Sequence, residues 1–381
     1  MRTLSKDTSG LGAVSRRLGA ISVQTRHEML RMAVAVAIGL GVAVVLIALT
    51  AADPARALTY FVAAPFMGPS YFSHMIEVII PLMMTGAAVS IMFATNQFNL
   101  GLEGAIYLGG LMAAVSGIYL MPDLPVLSPV FSILLGAAVG FAIIAIPALL
   151  QYKFKANIVV STLMMNYVCL YVGLFLLFRV FKDPASSQHT YPIGPAAGLP
   201  VLIPGTKIHA GLILSVAIVI LAYVLLYKTR LGFSLRMVGQ NPNFARYAGL
   251  GVSGLALVAQ LMGGAIGGMT GAVQMLGLYD RFQWTTLTGF GWDGVTMAIF
   301  ARNNPKYLPF AAVFLAYFRT GAWVMSFKAG VQIDLVSVFE GVMVLFLMAE
   351  KFLSGTYRKM VFADADRKRK EREAAGEEVA A

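Results

Sequence analysis

Long apolar runs alternate with short polar stretches along this chain. A membrane-spanning helix needs about 20 apolar residues, with a range of roughly 17–25. Ten runs qualify as candidates, over 32–51, 76–94, 100–120, 129–151, 158–178, 210–227, 250–273, 288–301, 307–326 and 334–350. The eighth has 14 residues, so a re-entrant or broken element fits it as well as a full span. The pattern predicts an all-α, polytopic membrane protein of about ten transmembrane helices. A polar N-terminal segment covers 1–31, the membrane domain 32–350, and a polar tail 351–381.

Composition strengthens this reading. Hydrophobic residues make up 58% of the chain, against roughly 45–50% in soluble proteins, and charged residues 12%, about half the usual share. So few charges cannot cover a water-exposed surface. The first 25 residues are polar and basic and lack the apolar core of a cleavable signal. The single cysteine, Cys169, lies within an apolar run, which excludes an intramolecular disulfide.

The net charge of +11 would raise nucleic-acid binding in a soluble chain, but here the basic residues sit between and beyond the apolar runs and set topology. With the N-terminus inside and all ten runs crossing, the cytoplasmic pieces are 1–31, 152–157, 228–249, 302–306 and 351–381. They hold 22 of the 29 lysines and arginines, which predicts an N-in, C-in orientation. No nucleic-acid partner is expected; the lipid bilayer is.

Several chemistries are excluded. There is no GxxxxGK[ST] phosphate loop, His27-Glu28 lacks the second histidine of a zinc-protease motif, and the four histidines form no metal-ligand spacing. No metal site and no cofactor of its own are expected.

Charges inside a bilayer cost about 2.5–3.5 kcal/mol at a helix centre on insertion scales, so each needs a reason. Arg319 and Glu340 fall at similar depth, about 15–18 Å in at 1.5 Å per residue, and neighbouring antiparallel helices would pair them as a structural ion pair or along a pathway. Glu103 lies in the glycine-broken stretch Phe98-Asn99-Leu100-Gly101-Leu102-Glu103-Gly104, which fits either a tight helix–helix turn or a broken element near a transport pathway. Asp293 lies in a second such stretch, Gly289–Gly294, at a comparable place in the second half. Paired interrupted segments point to a transport site. Asn166 is a polar residue within the fifth run, suited to an interhelical hydrogen bond. The glycine-dense stretch Gly263–Gly268 with Gly271 suggests close helix packing.

The loop 228–249 has 22 residues, four basic residues and no acid. Asn241-Pro242 is a helix-start signal. A short helix with Phe244, Ala245, Tyr247 and Ala248 on one face suits docking into a partner's groove.

These residues carry a resemblance. TRLGFSLRMVGQNPNFARYAGL over 229–250 is similar to the coupling loop of ABC-importer permeases of the branched-chain amino acid/ribose class, closest to the simple-sugar and nucleoside branch. FNLGLEG over 98–104 resembles that branch's FN-I-G-x-EG signature, STLMMNY over 161–167 its ST-I-M-L-NY stretch, and GFGWDG over 289–294 followed by Arg302-Asn303-Asn304-Pro305 its G-x-GFDG…G-R-N-x-P block. The chain departs from the pattern at Ile158, Ala301 and Glu340, where the branch usually has an acid, a glycine and a glutamine.

The resemblance implies a transport subunit of a prokaryotic inner membrane that is not itself an enzyme. Its expected partners are an ABC ATPase that binds ATP-Mg, a second permease chain and an extracytoplasmic substrate-binding protein. A nucleoside or simple sugar would pass by alternating access, along a pathway that includes Phe98, Asn99, Glu103, Asn166, Trp292 and Asp293. Arg236, Gly239, Asn241, Pro242, Ala245, Arg246 and Tyr247 would couple it to the ATPase. The alternative is a secondary transporter in which Glu103 or Asp293 relays ions and no ATPase takes part.

Overall fold

The structure is a computed structural model that describes residues 23–186 and 188–332, with 337, 338, 341, 342, 344 and 345 beyond them. The chain divides into two compact units, Ile47–Ile333 and a second formed by Met1–Leu46 with Asp334–Ala381. The described residues of the second unit are helical.

Helix α1 (Val23–Thr50) enters the Ile47–Ile333 unit with its last turn. A short helix α2 (Pro54–Ala63) comes next, started by Asp53, whose carboxylate accepts the Arg56 N–H, and by Pro54 in the first turn. Then come α3 (Pro69–Phe93), α4 (Leu102–Val115, continued by a π-turn to Leu120), α5 (Leu127–Phe154), α6 (Ile158–Arg179) and α7 (Gly211–Lys228). Two short helices, α8 (Arg230–Gln240) and α9 (Pro242–Tyr247), precede α10 (Val252–Leu278), α11 (Phe290–Phe300) and α12 (Leu308–Ala329).

Seven helical stretches among the described residues are long and apolar enough to cross a membrane: α3, α4 with its π-turn, α5, α6, α7, α10 and α12 with the turn before it. They match seven of the ten predicted runs to within several residues. Of the other three, the first is helical with a shorter apolar stretch, Val36–Thr50, and the tenth lies almost wholly outside the described residues. The eighth corresponds to α11, which has 11 residues and spans about 16 Å, roughly half of a ~30 Å hydrocarbon core. An irregular stretch, 279–289, precedes it.

Phe282 and Trp284 of that stretch are buried, and the backbone polar groups around them find protein partners. Tyr107 donates its hydroxyl to the Trp284 carbonyl at 2.9 Å. Thr190 exchanges bonds with Phe282, its hydroxyl accepting the Phe282 N–H at 3.1 Å and its own N–H reaching the Phe282 carbonyl at 3.2 Å. Tyr107, Phe282 and Trp284 are buried together at the centre of the apolar core.

Helix α10 is the hub and packs on α5, α4 and α3. A glycine seam permits this. Gly136 and Gly140 of α5 lie against Gly264 and Gly268 of α10, Gly109 of α4 lies against Gly268, and a Cβ at these positions would meet the facing backbone. The predicted glycine-dense stretch thus serves close helix packing, as small residues do where no hydrophobic drive exists between helices. Helices α3 and α4 are largely buried, whereas only about a third of the residues of α5, α6 and α7 are.

Candidate functional site

Two polar constellations stand out. The first surrounds the break between α3 and α4. Helix α3 ends in a turn over 94–96 with Asn96 in the left-handed region (φ 56°), and α4 begins at Leu102. The first N–H groups of a helix lack intrahelical acceptors. Asn166 of α6 supplies one, its Oδ1 accepting the Gly104 N–H at 2.9 Å while its Nδ2 donates to the Leu100 carbonyl at 2.8 Å. Thr162, one turn away, accepts the Leu100 N–H at 3.2 Å. Asn99 is fully buried; its Oδ1 accepts the Gly101 N–H at 2.7 Å and its Nδ2 donates to Gln260 of α10.

Glu103 extends the chain of contacts. Its carboxylate is buried and takes four donors: the Gly289, Gly291 and Trp292 N–H groups at 3.1, 2.8 and 3.3 Å and the Thr288 hydroxyl at 3.2 Å. It thus caps the N-terminus of α11 from a different helix. The half-unit positive charge of a helix N-terminus and charge-assisted hydrogen bonds offset the cost of burying the anion. Gly289 sits at φ 83°, and a Cβ on Gly291 would press 2.7 Å from the Glu103 nitrogen, so this approach requires glycine at both positions.

One turn into α11, Asp293 accepts both guanidinium nitrogens of Arg319 of α12. Arg319 therefore has Asp293 as a partner, whereas Glu340, its predicted partner, lies outside the described residues.

Of the six predicted pathway residues, Asn99, Glu103, Asn166 and Asp293 are buried and bonded within the chain. Phe98 and Trp292 are 40% and 51% exposed, the Phe98 ring packing on Phe93 with centroids 4.5 Å apart. Trp292 meets Glu103 through its backbone and Phe98 lies five residues before Glu103, so both aromatics flank the same capped junction. Gln260 and Thr162 are not among the residues the sequence singles out. Gln260, an amide within an apolar run, is the available signal.

The second constellation is built on α8 and α9. Thr229 caps α8 by accepting the Gly232 N–H at 3.1 Å, and Asn241 caps α9 by accepting the Phe244 N–H at 2.9 Å, with Pro242 in the first turn as the Asn-Pro signal predicts. The pair is braced from beneath. Arg236 donates to the Leu226 carbonyl at 3.0 Å and lies 4.6 Å over the Tyr227 ring of α7. Gly239 abuts the Ala94 carbonyl at the end of α3, where a Cβ would overlap. Leu235, Val238 and Ala245 are buried. Three of the predicted coupling residues, Arg236, Gly239 and Ala245, thus face their own chain. Asn241, Pro242, Arg246 and Tyr247 face outward with Phe244; Tyr247 is 93% exposed.

Among the described residues no group of three or more His, Cys, Asp or Glu side chains is gathered to hold a metal.

The family described as "branched-chain amino acid transport system / permease component" matches residues 71–348. The chain is 29% identical over 322 residues to a glucose ABC transporter permease protein of Haloferax volcanii, covering 81% of this chain and 83% of that one. It is 28% identical over 298 residues to a guanosine ABC transporter permease protein of Bacillus subtilis, covering 76% and 85%. It is 25% identical over 288 residues to a nucleoside ABC transporter permease protein of Lactococcus lactis, covering 72% and 77%. No solved structure matches.

Proposed function

The chain belongs to the family of branched-chain amino acid transport permease components, and from that premise we propose that it is the multi-pass subunit through which an ATP-driven importer moves a neutral nucleoside or simple sugar. Its place is the inner membrane of a prokaryote, with both termini cytoplasmic. An ABC ATPase docks on α8 and α9, a second permease chain completes the pathway, and an extracytoplasmic binding protein delivers the substrate.

The observation that carries this reading is the α8–α9 platform. Its outer face offers Phe244, Arg246 and Tyr247 to a partner's groove, while its inner face is braced on the ends of α3 and α7. A push on the platform is thereby delivered to two helices that cross the bundle. ATP bound elsewhere can bias this chain only through contacts that differ between inward- and outward-open states, and these outward residues supply them.

The substrate class is supported by what occupies the α11 N-terminus. Half-helix N-termini in transporters receive anionic groups of the substrate. Here Glu103 already fills that position, and Asp293 is matched by Arg319. The partly exposed aromatics nearby are Trp292 and Phe98, surfaces on which a neutral base or sugar ring stacks. The named relatives handle glucose, guanosine and nucleosides.

Gentle extraction from native membranes followed by mass spectrometry of co-purifying chains tests the reading. A stoichiometric ATPase carrying a phosphate loop is expected, with uptake of labelled nucleoside or hexose that needs ATP. Uptake that needs no ATPase and collapses when the ion gradient is dissipated would replace this reading with the secondary transporter.

A further inference from the structure

Residues 181–210 join α6 to α7 at the end of the bundle opposite α8 and α9. Backbone bonds seat this segment on the return from α10: Ile193 N–H to the Asp280 carbonyl at 2.8 Å and Leu199 N–H to the Leu276 carbonyl at 2.9 Å. Its last part folds back on itself, Leu202 N–H reaching the Ile208 carbonyl at 2.7 Å and Ala210 N–H the Pro200 carbonyl at 2.9 Å. The Lys207 N–H bonds the Ser73 hydroxyl of α3 at 3.3 Å.

The closure rests on His209. Its imidazole is fully buried and lies against Gly277 of α10 and Gly211 of α7, positions where an added Cβ would overlap the ring. Nδ1 accepts the Gly211 N–H at 3.2 Å, which places the proton of the neutral ring on Nε2. Nε2 is sealed from solvent and has no hydrogen-bond partner among the described residues. A second proton has no tolerable place here. It would put hydrogen on Nδ1, break the bond to Gly211, and leave a cation in a sealed site. Burial accordingly pushes His209 below its ordinary value of 6.5, and the opposing pull of Glu77 is smaller. Besides Glu77, this side carries His74 of α3, which is 3.5 Å from Glu77, Tyr71 at the start of α3, Lys207 of the segment itself, and Tyr279 and Asp280 just beyond α10. Residues 273–278 of α10 and 211–215 of α7 contribute none.

We propose that His209 is a proton-operated clasp: neutral, it locks residues 199–210 onto α3, α7 and α10, and protonated, it releases them. The clasp stands on this geometry; only its facing the extracytoplasmic side rests on the orientation proposed above. The sign follows from linkage. The released segment binds a proton at the ordinary value and the closed one only below it. Closure is therefore complete above pH 6.5 and is lost as the pH falls beneath that, by about tenfold per unit until the closed-state value is reached.

Hydrogen exchange of the 199–211 amides tests this in the full chain in lipid nanodiscs, with intrinsic rates corrected. Between pH about 7.5 and about 5.5 the opening constant is expected to rise about tenfold. His209→Asn keeps an acceptor for the Gly211 N–H but cannot titrate, so its protection should be flat. Glu77→Gln removes the carboxylate that favours the imidazolium in the closed state, so it should leave the onset near pH 6.5 in place and extend the loss of protection to more acidic pH. Protection in the wild type that does not change with pH, or an unaltered pH profile in His209→Asn, overturns the clasp. If His209→Asn fails to accumulate, wild-type protection that does not weaken as the pH falls below 6.5 overturns it on its own. The readout needs no transport, so failure of the importer reading leaves it intact.

Discussion

At the scale of residues, the buried charges explain the junction. Asp293 and Arg319 form a bidentate pair between α11 and α12, and each would be costly alone. Arg319→Leu should therefore destabilise the protein by about 3–5 kcal/mol. Adding Asp293→Asn should recover much of that, because the uncompensated carboxylate is removed as well. Thermal unfolding in mild detergent reads both variants, and an equal loss in the single and the double would sink the pairing. The sequence singles out these residues because ionisable groups in apolar runs need a reason. It cannot choose partners. Depth along two helices is compatible with any antiparallel neighbour, so it matches Arg319 with Glu340 and marks Asp293 only as part of a broken segment. The same blindness hides Gln260, whose role depends on Asn99, 161 positions earlier. Asn99, Glu103 and Asn166 stand out in the sequence for their chemistry, and the structure places that chemistry in helix capping within the chain.

At the scale of elements, close backbone approach decides the architecture. Gly268 touches both α4 and α5, and an added Cβ would overlap the Gly136 carbonyl. Gly268→Val should drive α5 from α10 and abolish accumulation of folded protein, whereas Gly254, near the start of α10, with nothing within 4 Å of an added Cβ, should tolerate alanine. Membrane-fraction yield and monodispersity by size exclusion check the contrast, and equal yields of the two variants would contradict the seam. Periodicity and composition make most elements legible, including seven spans, the α9 start at Asn241-Pro242 and the glycine seam. The crossing before α11 is not legible in full. Tyr279, Phe282 and Trp284 are apolar enough to continue a helix, and it is tertiary bonds, from Tyr107, Thr190 and Ile193, that hold this backbone out of one.

At the scale of the whole molecule, the two ends of α7 define a line of action. One end carries α8 and α9, tied to α7 through Arg236, and the other begins at Gly211 beneath His209. On the proposed reading, force from an ATPase would enter at the cytoplasmic end, through residues that the fold leaves uncovered. Arg246 is the basic residue among them, and its side chain is exposed on α9 while Ala245 beside it anchors the helix. Replacing it does not disturb the brace, which consists of Arg236, Gly239 and the buried Leu235 and Val238. Arg246→Glu should thus leave insertion and helix content unchanged. Reversing a charge that pairs across an interface costs about 2–5 kcal/mol, enough to lower ATP-driven uptake by roughly tenfold or more. The measurement is uptake alongside ATPase retention in the purified complex. Loss of uptake with normal membrane yield places the contact at α9. Full ATP-driven uptake by Arg246→Glu would remove α9 from the coupling path and move the search to other exposed residues of the 228–250 segment, beginning with Phe233, whose ring stands out from α8.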